Sequence, residues 1–430
     1  MPSTAKTCPK SPGPTRPRWC SSLCRGRLLT LVSTVAAVSH GLTGVGWAED
    51  TLPAQPAPSL ADRLRPPTAG ILNFNDGQLG LYPVLDLEIG RKSSAGVALY
   101  AKNLLFADNQ ARVVVFVAPD GLFEATVFDR AEISGAFLDR VGVRFGYRHR
   151  PDGVFYGIGG ETRSEDKTFF AIRAPALTVE GSRALGRLAR ATATLEWRQA
   201  EFSGSDFSDS TPSLLQRFGA AGQPPLPPGW SGYALIDAGL ALALRSPDLD
   251  DRLAVGTGVW LLGQGGYALD PTQGALSLLH GGAEAGGAID FSGKGHRLGM
   301  ALTTRYIEAL GTTPTPFTEL IALGGDELLR GFLPGRLRGD SAFVTTFFYG
   351  RPIGRHVFTE IFLAAGNVFD GRLDGLNPRH FVASYGIEAE AAFSREVSLE
   401  LVAGFGTSRV EPHFDPLDEF RLSLGVNHRF

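Results

Sequence analysis

The side chains able to do chemistry are few, and their spacing excludes most reactions. His149, His280, His296, His356, His380 and His413 are scattered with no metal-ligand spacing, and neither HExxH nor GxSxG occurs. Cys8, Cys20 and Cys24 are the only cysteines. The glycines of Phe155-Tyr156-Gly157-Ile158-Gly159-Gly160 lack the lysine and the βαβ setting of a nucleotide loop. Glu388, Glu390 and Glu400 read as structural counter-charges to Arg144, Arg198 and Arg421 rather than as an acid and base. These residues predict no enzyme, no metal and no cofactor. One cation stands apart, Arg330 in the stretch Leu328-Leu329-Arg330-Gly331-Phe332. An arginine on a glycine-flanked tip can be lowered into a polar interior, where it needs a carboxylate or an aromatic face. Gly331 permits a tighter tip than a residue with a Cβ.

The elements that must carry this tip are strands. In 420–430, Phe420, Leu422, Leu424 and Val426 share one face, while Arg421, Ser423 and Gly425 share the other. The segments 140–148, 385–391 and 396–405 alternate in the same way, and a period of two is the mark of a strand. Candidate strands cover 84–92, 95–103, 110–119, 122–133, 138–149, 167–182, 186–202, 230–246, 251–264, 276–292, 295–309, 341–352, 355–369, 379–394, 396–408 and 418–430. They are longer than the ~5–6 residues usual in soluble sheets and suit the ~9–11 residues a tilted strand needs to cross a bilayer. Short turns, such as 246–250 and 292–295, alternate with longer loops at 150–166, 203–229, 265–275 and 310–340. An even strand number with short turns on one side and long loops on the other predicts an all-β, 16-stranded antiparallel transmembrane barrel. Closure pairs every backbone group and leaves no free edge in lipid.

Composition agrees. Of 430 residues, 43% are hydrophobic and 54 are glycine, and mean hydropathy is +0.01, too low for a bundle of apolar helices. Residues 1–48 read as a signal peptide: a basic start, an apolar Leu28–Val38, and Gly46-Trp47-Ala48 before the cleavage point. Its removal takes away six basic residues and every cysteine, and the net charge moves from −3 to −9. That balance argues against a nucleic-acid partner. Residues 49–83 read as a Pro-rich periplasmic lead-in, and 84–430 as the barrel.

The stretch Leu323-Gly324-Gly325 to Leu329-Arg330-Gly331-Phe332, followed by Arg338-Gly339-Asp340, resembles the inward-folded loop of the outer-membrane assembly and translocation barrels that include BamA, TamA and the bacterial surface antigens. In that family the loop lies before the twelfth strand, as here. Phe155–Gly160 with Glu165-Asp166-Lys167-Thr168 resembles the family's fifth-strand region, and Phe362-Leu363-Ala364-Ala365-Gly366-Asn367-Val368-Phe369 resembles its thirteenth-strand motif. Two departures stand out. Ala364 replaces the usual Asp, and Phe347-Phe348-Tyr349-Gly350-Arg351-Pro352 lacks the usual Glu. The loop partner therefore moves to Glu360, Phe362, Glu388 or Glu390. Glu360 lies ~13 Å along the strand from the usual partner position, so reaching it requires a shifted tip. Phe430 corresponds to the family's C-terminal assembly signal. The lead-in is too short for the periplasmic repeats of BamA, which implies a barrel-only member.

The resemblance implies a barrel in the outer membrane of a Gram-negative bacterium that assists insertion or translocation of a protein or lipid cargo. Its partners would be outer-membrane lipid and, during biogenesis, the barrel assembly machinery. The alternative is a passive pore or small-solute channel.

Overall fold

The computed structural model describes residues 72–74, 78–104, 107–133, 135, 137–205, 207, 211–218, 232–246, 249, 256–272, 274, 276–354, 357–392, 397–409 and 419–428. The segment 1–48 and Phe430 lie outside them. Sixteen strands form one closed antiparallel sheet. They are β1 (Leu79–Glu88), β2 (Ser94–Lys102), β3 (Asn109–Ala118), β4 (Leu122–Glu132), β5 (Arg140–Phe155), β6 (Thr168–Leu185), β7 (Ala189–Gly204) and β8 (Gly232–Arg245). The second half is β9 (Gly258–Leu269), β10 (Ser277–Asp290), β11 (Arg297–Ala309), β12 (Ser341–Ile353), β13 (Val357–Phe369), β14 (Val382–Ala392), β15 (Val397–Arg409) and β16 (Glu419–His428). Each strand pairs with its neighbours in sequence, and β16 returns to β1. An additional short strand, Leu72–Phe74, pairs with the start of β1.

Alternation fixes which face is which. Leu85 and Leu87 of β1, Leu240, Leu242 and Leu244 of β8, and Leu298, Met300 and Leu302 of β11 are exposed on the outer face. Residues between them, such as Val84, Glu88, Asp237 and Thr303, are buried on the inner face. A one-residue slip would exchange the two sets, so the pattern locks the register. The chain leaves β7 and β11 at one end of the barrel and β8, β10 and β12 at the other.

Three strands depart most from the sequence reading. β9 spans Gly258–Leu269 rather than 251–264 and so takes up part of the span read as the loop 265–275, while 250–255 lie outside the described residues. β1 begins at Leu79, inside the span read as lead-in. β5 runs on to Phe155 through Arg150-Pro151-Asp152-Gly153, the start of the span read as the loop 150–166. The strand absorbs the proline in a bulge between Arg150 and Gly153, and Arg150 holds Asp152 at 2.9 Å.

Candidate functional site

The loop 310–340 enters the barrel and carries its own two-stranded hairpin, Ile321–Leu323 against Leu337–Gly339. Leu323, Leu328, Leu329, Phe332 and Leu337 pack with Val344 of β12, Ala364 and Val368 of β13, and Val382 of β14. Ala364, at the family's usual Asp position, thus gives the tip an apolar seat instead of a charge. Leu329 takes φ +57°, a left-handed conformation a branched residue seldom adopts, and it does so one residue before the arginine.

Arg330 reaches the barrel wall. Its Nη2 donates to Glu360 at 2.7 Å, its Nη1 donates to Glu388, and its guanidinium lies 4.0 Å from the centre of the Phe362 ring. Glu360 and Glu388 face each other across β13 and β14, so one fork of donors meets two carboxylates. Glu390 is one period further along β14, opposite Glu400. Burial works to lower the pKa of Arg330; the charges of Glu360 and Glu388 outweigh it, and the net shift is upward. The tip is held by backbone as well. Gly331 N donates to Ser384 Oγ at 2.6 Å, and a Cβ there would collide with the Phe405 carbonyl of β15. Phe332 lies over Gly406 in the same way.

The loop's other flank grips the opposite wall. Glu319 accepts from Arg198 of β7 at 2.8 Å and from the Tyr233 hydroxyl of β8. Arg198 also holds Glu196 and Asp237, so its charge is balanced by these three and not by the acids of β14 and β15. Arg336 pairs with Glu419 of β16 at 2.6 Å and covers the Tyr156 ring at 4.7 Å. Burial pushes the Arg338 guanidinium down to about 10. Gly159 N donates to the Arg338 carbonyl, and Asn367 donates to the Gly160 carbonyl, so the two motif segments and the loop meet at one place. Above them Phe155, Phe170, Phe202 and Phe317 stack edge to face. Under the loop remains a cavity of about 780 Å³ with both charges on its walls.

The junction of β16 and β1 differs from every other. Its ladder has three pairs, Ser423–Glu88, Leu424–Leu87 and Gly425–Asp86. Ile89 N donates to the Leu422 carbonyl, so the odd positions of β1 point their backbone groups at this seam. Pro83 is one of them and has no N–H to give. Beyond it β16 departs: Val426, expected on the lipid face, packs against the inner cluster of Tyr82, Val84, Ala98, Tyr100 and Val114. What crosses the seam is a side chain. Arg421 of β16, 1% exposed, holds Glu88 of β1 and Asp326 of the loop, and its Nη1 lies 3.3 Å from the Arg330 carbonyl. The sequence reading missed Pro83, Glu88, Asp326, Arg336 and Glu419 as members of the site. Only the inward parity of Arg421 signalled any part of it.

No protein-family model matches the chain, and no curated protein does. Solved structures do. BamA of Haemophilus ducreyi lacking POTRA domains 1–3 superposes with TM-score 0.55 and 13% identity, over 81% of this chain and 70% of that one. CdiB of Acinetobacter baumannii gives 0.49 and 11%, over 82% and 60%. A bacterial polysaccharide outer membrane secretin gives 0.44 and 10%, over 82% and 98%. The fold of this chain is that of the BamA barrel.

Proposed function

We propose that the chain is an outer-membrane barrel of the BamA and TamA assembly and translocation type, and that it inserts or moves protein or lipid at the seam between β16 and β1. The three-pair seam carries this reading. At about 0.5–1.5 kcal/mol for each net hydrogen bond, such a ladder contributes only a few kcal/mol, whereas its neighbours run the length of their strands. A wall that parts at one place offers a lateral exit into lipid and a free strand edge. The inward loop keeps the lumen from serving as an open channel, because it is tied to β7 on one side and to β13 and β14 on the other. Outer-membrane lipid surrounds the barrel, and the assembly machinery is the partner that installs it.

The seam can be locked. Leu87 and Leu424 are register partners on the outer face, and in a chain with Cys8, Cys20 and Cys24 changed to Ser the pair L87C/L424C forms a single disulfide. In proteoliposomes the oxidised protein should no longer accelerate insertion of an unfolded barrel substrate, and reduction should restore it. Acceleration that survives the lock would contradict the reading. A large steady bilayer conductance, unaffected by the lock, would identify the passive pore instead.

A further inference from the structure

The arginines of the inner wall are not all balanced alike. Arg150, Arg198, Arg330 and Arg421 each hold a carboxylate within 2.9 Å. Arg144 and Arg148 of β5 do not. Among the described residues Arg144 has no carboxylate partner, and its guanidinium lies 5.5 Å from the centre of the Phe128 ring of β4. Glu388, read from the sequence as one of its counter-charges, holds Arg330 instead. Arg148 meets Glu124 through Nε alone, at 3.5 Å, and Arg150 holds the same carboxylate at 3.1 Å. Glu180 of β6 lies over Gly142 and pairs with neither arginine. Both arginines line the cavity under the loop. Phe128–Arg144, Thr126–Gly146 and Glu124–Arg148 are successive inward register pairs, so Gly146 stands midway and puts no side chain between the two cations. Four residues of strand set their Cα atoms ~13 Å apart, a span that two arginine side chains can close from either end.

We propose that the cavity under the loop binds a phosphate monoester, held between the guanidinium groups of Arg144 and Arg148. Each guanidinium is a planar fork of donors that matches two oxygens of an anion. One fork satisfies a carboxylate. A phosphate monoester presents three terminal oxygens and close to two negative charges, which suits two forks and two cations. Without an anion, two like charges face the same space; an anion between them turns that repulsion into attraction. The Phe128 ring holds Arg144 in place before any ligand arrives. The phosphate can stand on a lipid headgroup or on a water-soluble molecule, and the two forks recognise it in the same way. The site lies on β5 and does not depend on the seam parting.

Calorimetric titration of the full chain in maltoside micelles with glycerol 3-phosphate, a soluble monoester, should show one site. Arg144→Gln and Arg148→Gln should each weaken it at least about tenfold, and the double variant should bind none. Arg144→Lys keeps the charge without the fork and should recover only part of the affinity. Arg173→Gln, on the exposed outer face of β6, should bind as the unsubstituted protein does. Heat-modifiable migration on a gel verifies that each variant is a folded barrel. Absence of binding by the unsubstituted protein would overturn the proposal, as would undiminished affinity in folded Arg144→Gln. Succinate, a dianion without phosphate, bound as tightly as glycerol 3-phosphate would overturn the assignment to phosphate. Nanodiscs distinguish the source. Phosphatidic acid carries a monoester, and phosphatidylglycerol brings negative charge to the surface with only a diester. Weaker glycerol 3-phosphate binding in phosphatidic acid than in phosphatidylglycerol would assign the site to a lipid headgroup, and equal binding would assign it to a soluble phosphate.

Discussion

The wall from β5 to β8 and the seam between β16 and β1 face the same demand, since every strand edge in a bilayer must be satisfied. The wall meets it by repetition. The β5–β6 ladder runs from Arg140–Ser182 to Phe155–Thr168, and the β6–β7 ladder from Phe170–Gly204 to Leu185–Ala189. The seam has three pairs and one buried arginine. Both regions contain an arginine held by several carboxylates, Arg198 in the wall and Arg421 at the seam. In the wall that cluster is added to a long ladder, interrupted only at Ala174-Pro175, and fastens the loop. At the seam it stands in for the missing ladder. A junction held by a few side chains can be released one group at a time, which a continuous ladder does not allow.

The sharpest challenge to that contrast is to remove each arginine. Arg421→Met leaves Glu88 with Arg91 for a cation but breaks the pair across the seam, and should cost about 3 kcal/mol in denaturant unfolding, with faster exchange at Leu87. Arg198→Met should lose a similar amount yet leave Leu87 unchanged; equal acceleration in both would show that the two regions are not independent. Arg330→Lys keeps the charge but loses the fork to Glu360 and Glu388 and the flat contact with Phe362. It should cost about 1.5–3 kcal/mol and open residues 310–340 to limited proteolysis. Gly331→Ala drives a Cβ into the Phe405 carbonyl and should cost about 1–3 kcal/mol, read as a lower unfolding midpoint. Pro83→Thr is the smallest change and has the opposite sign. The restored N–H should lengthen the seam ladder, add about 0.5–1.5 kcal/mol and slow exchange at Leu85; an unaltered rate would mean that the proline does not set the seam's length.

Much of the fold was legible because alternation is local. Phe420, Leu422 and Leu424 against Arg421 and Ser423 identify a strand without knowledge of its neighbours. Pro151-Asp152-Gly153 reads as part of the loop 150–166 because a bulge and the start of a loop use the same residues, and only the pairing of β6 on both sides tells them apart. The candidate site was legible in parts. Glu360 and Glu388 each had the right parity, but that they face one another depends on the β13–β14 register, which lies in a turn and not in either strand. Glu88 and Arg421 stand at opposite ends of the sequence, and no periodicity links them. Val426 has the parity of a lipid-facing residue, yet it packs on the inner cluster where β16, still paired to β15, parts from β1.

The hairpin between Leu72–Phe74 and β1 also bears on the order of folding. Its two arms are separated by four residues, while the seam joins Asp86 to Gly425 at the far end of the chain. Local hairpins form in about 1–10 μs, and contacts of high sequence separation wait for the chain between them to be organised. The barrel's non-local pairing is thus concentrated at its closing junction, and ring closure comes last. By then the N-terminal strand has already claimed its place. The lower edge of β1 is covered while the barrel is still an open sheet, and the last strand to arrive finds only the top of that edge vacant.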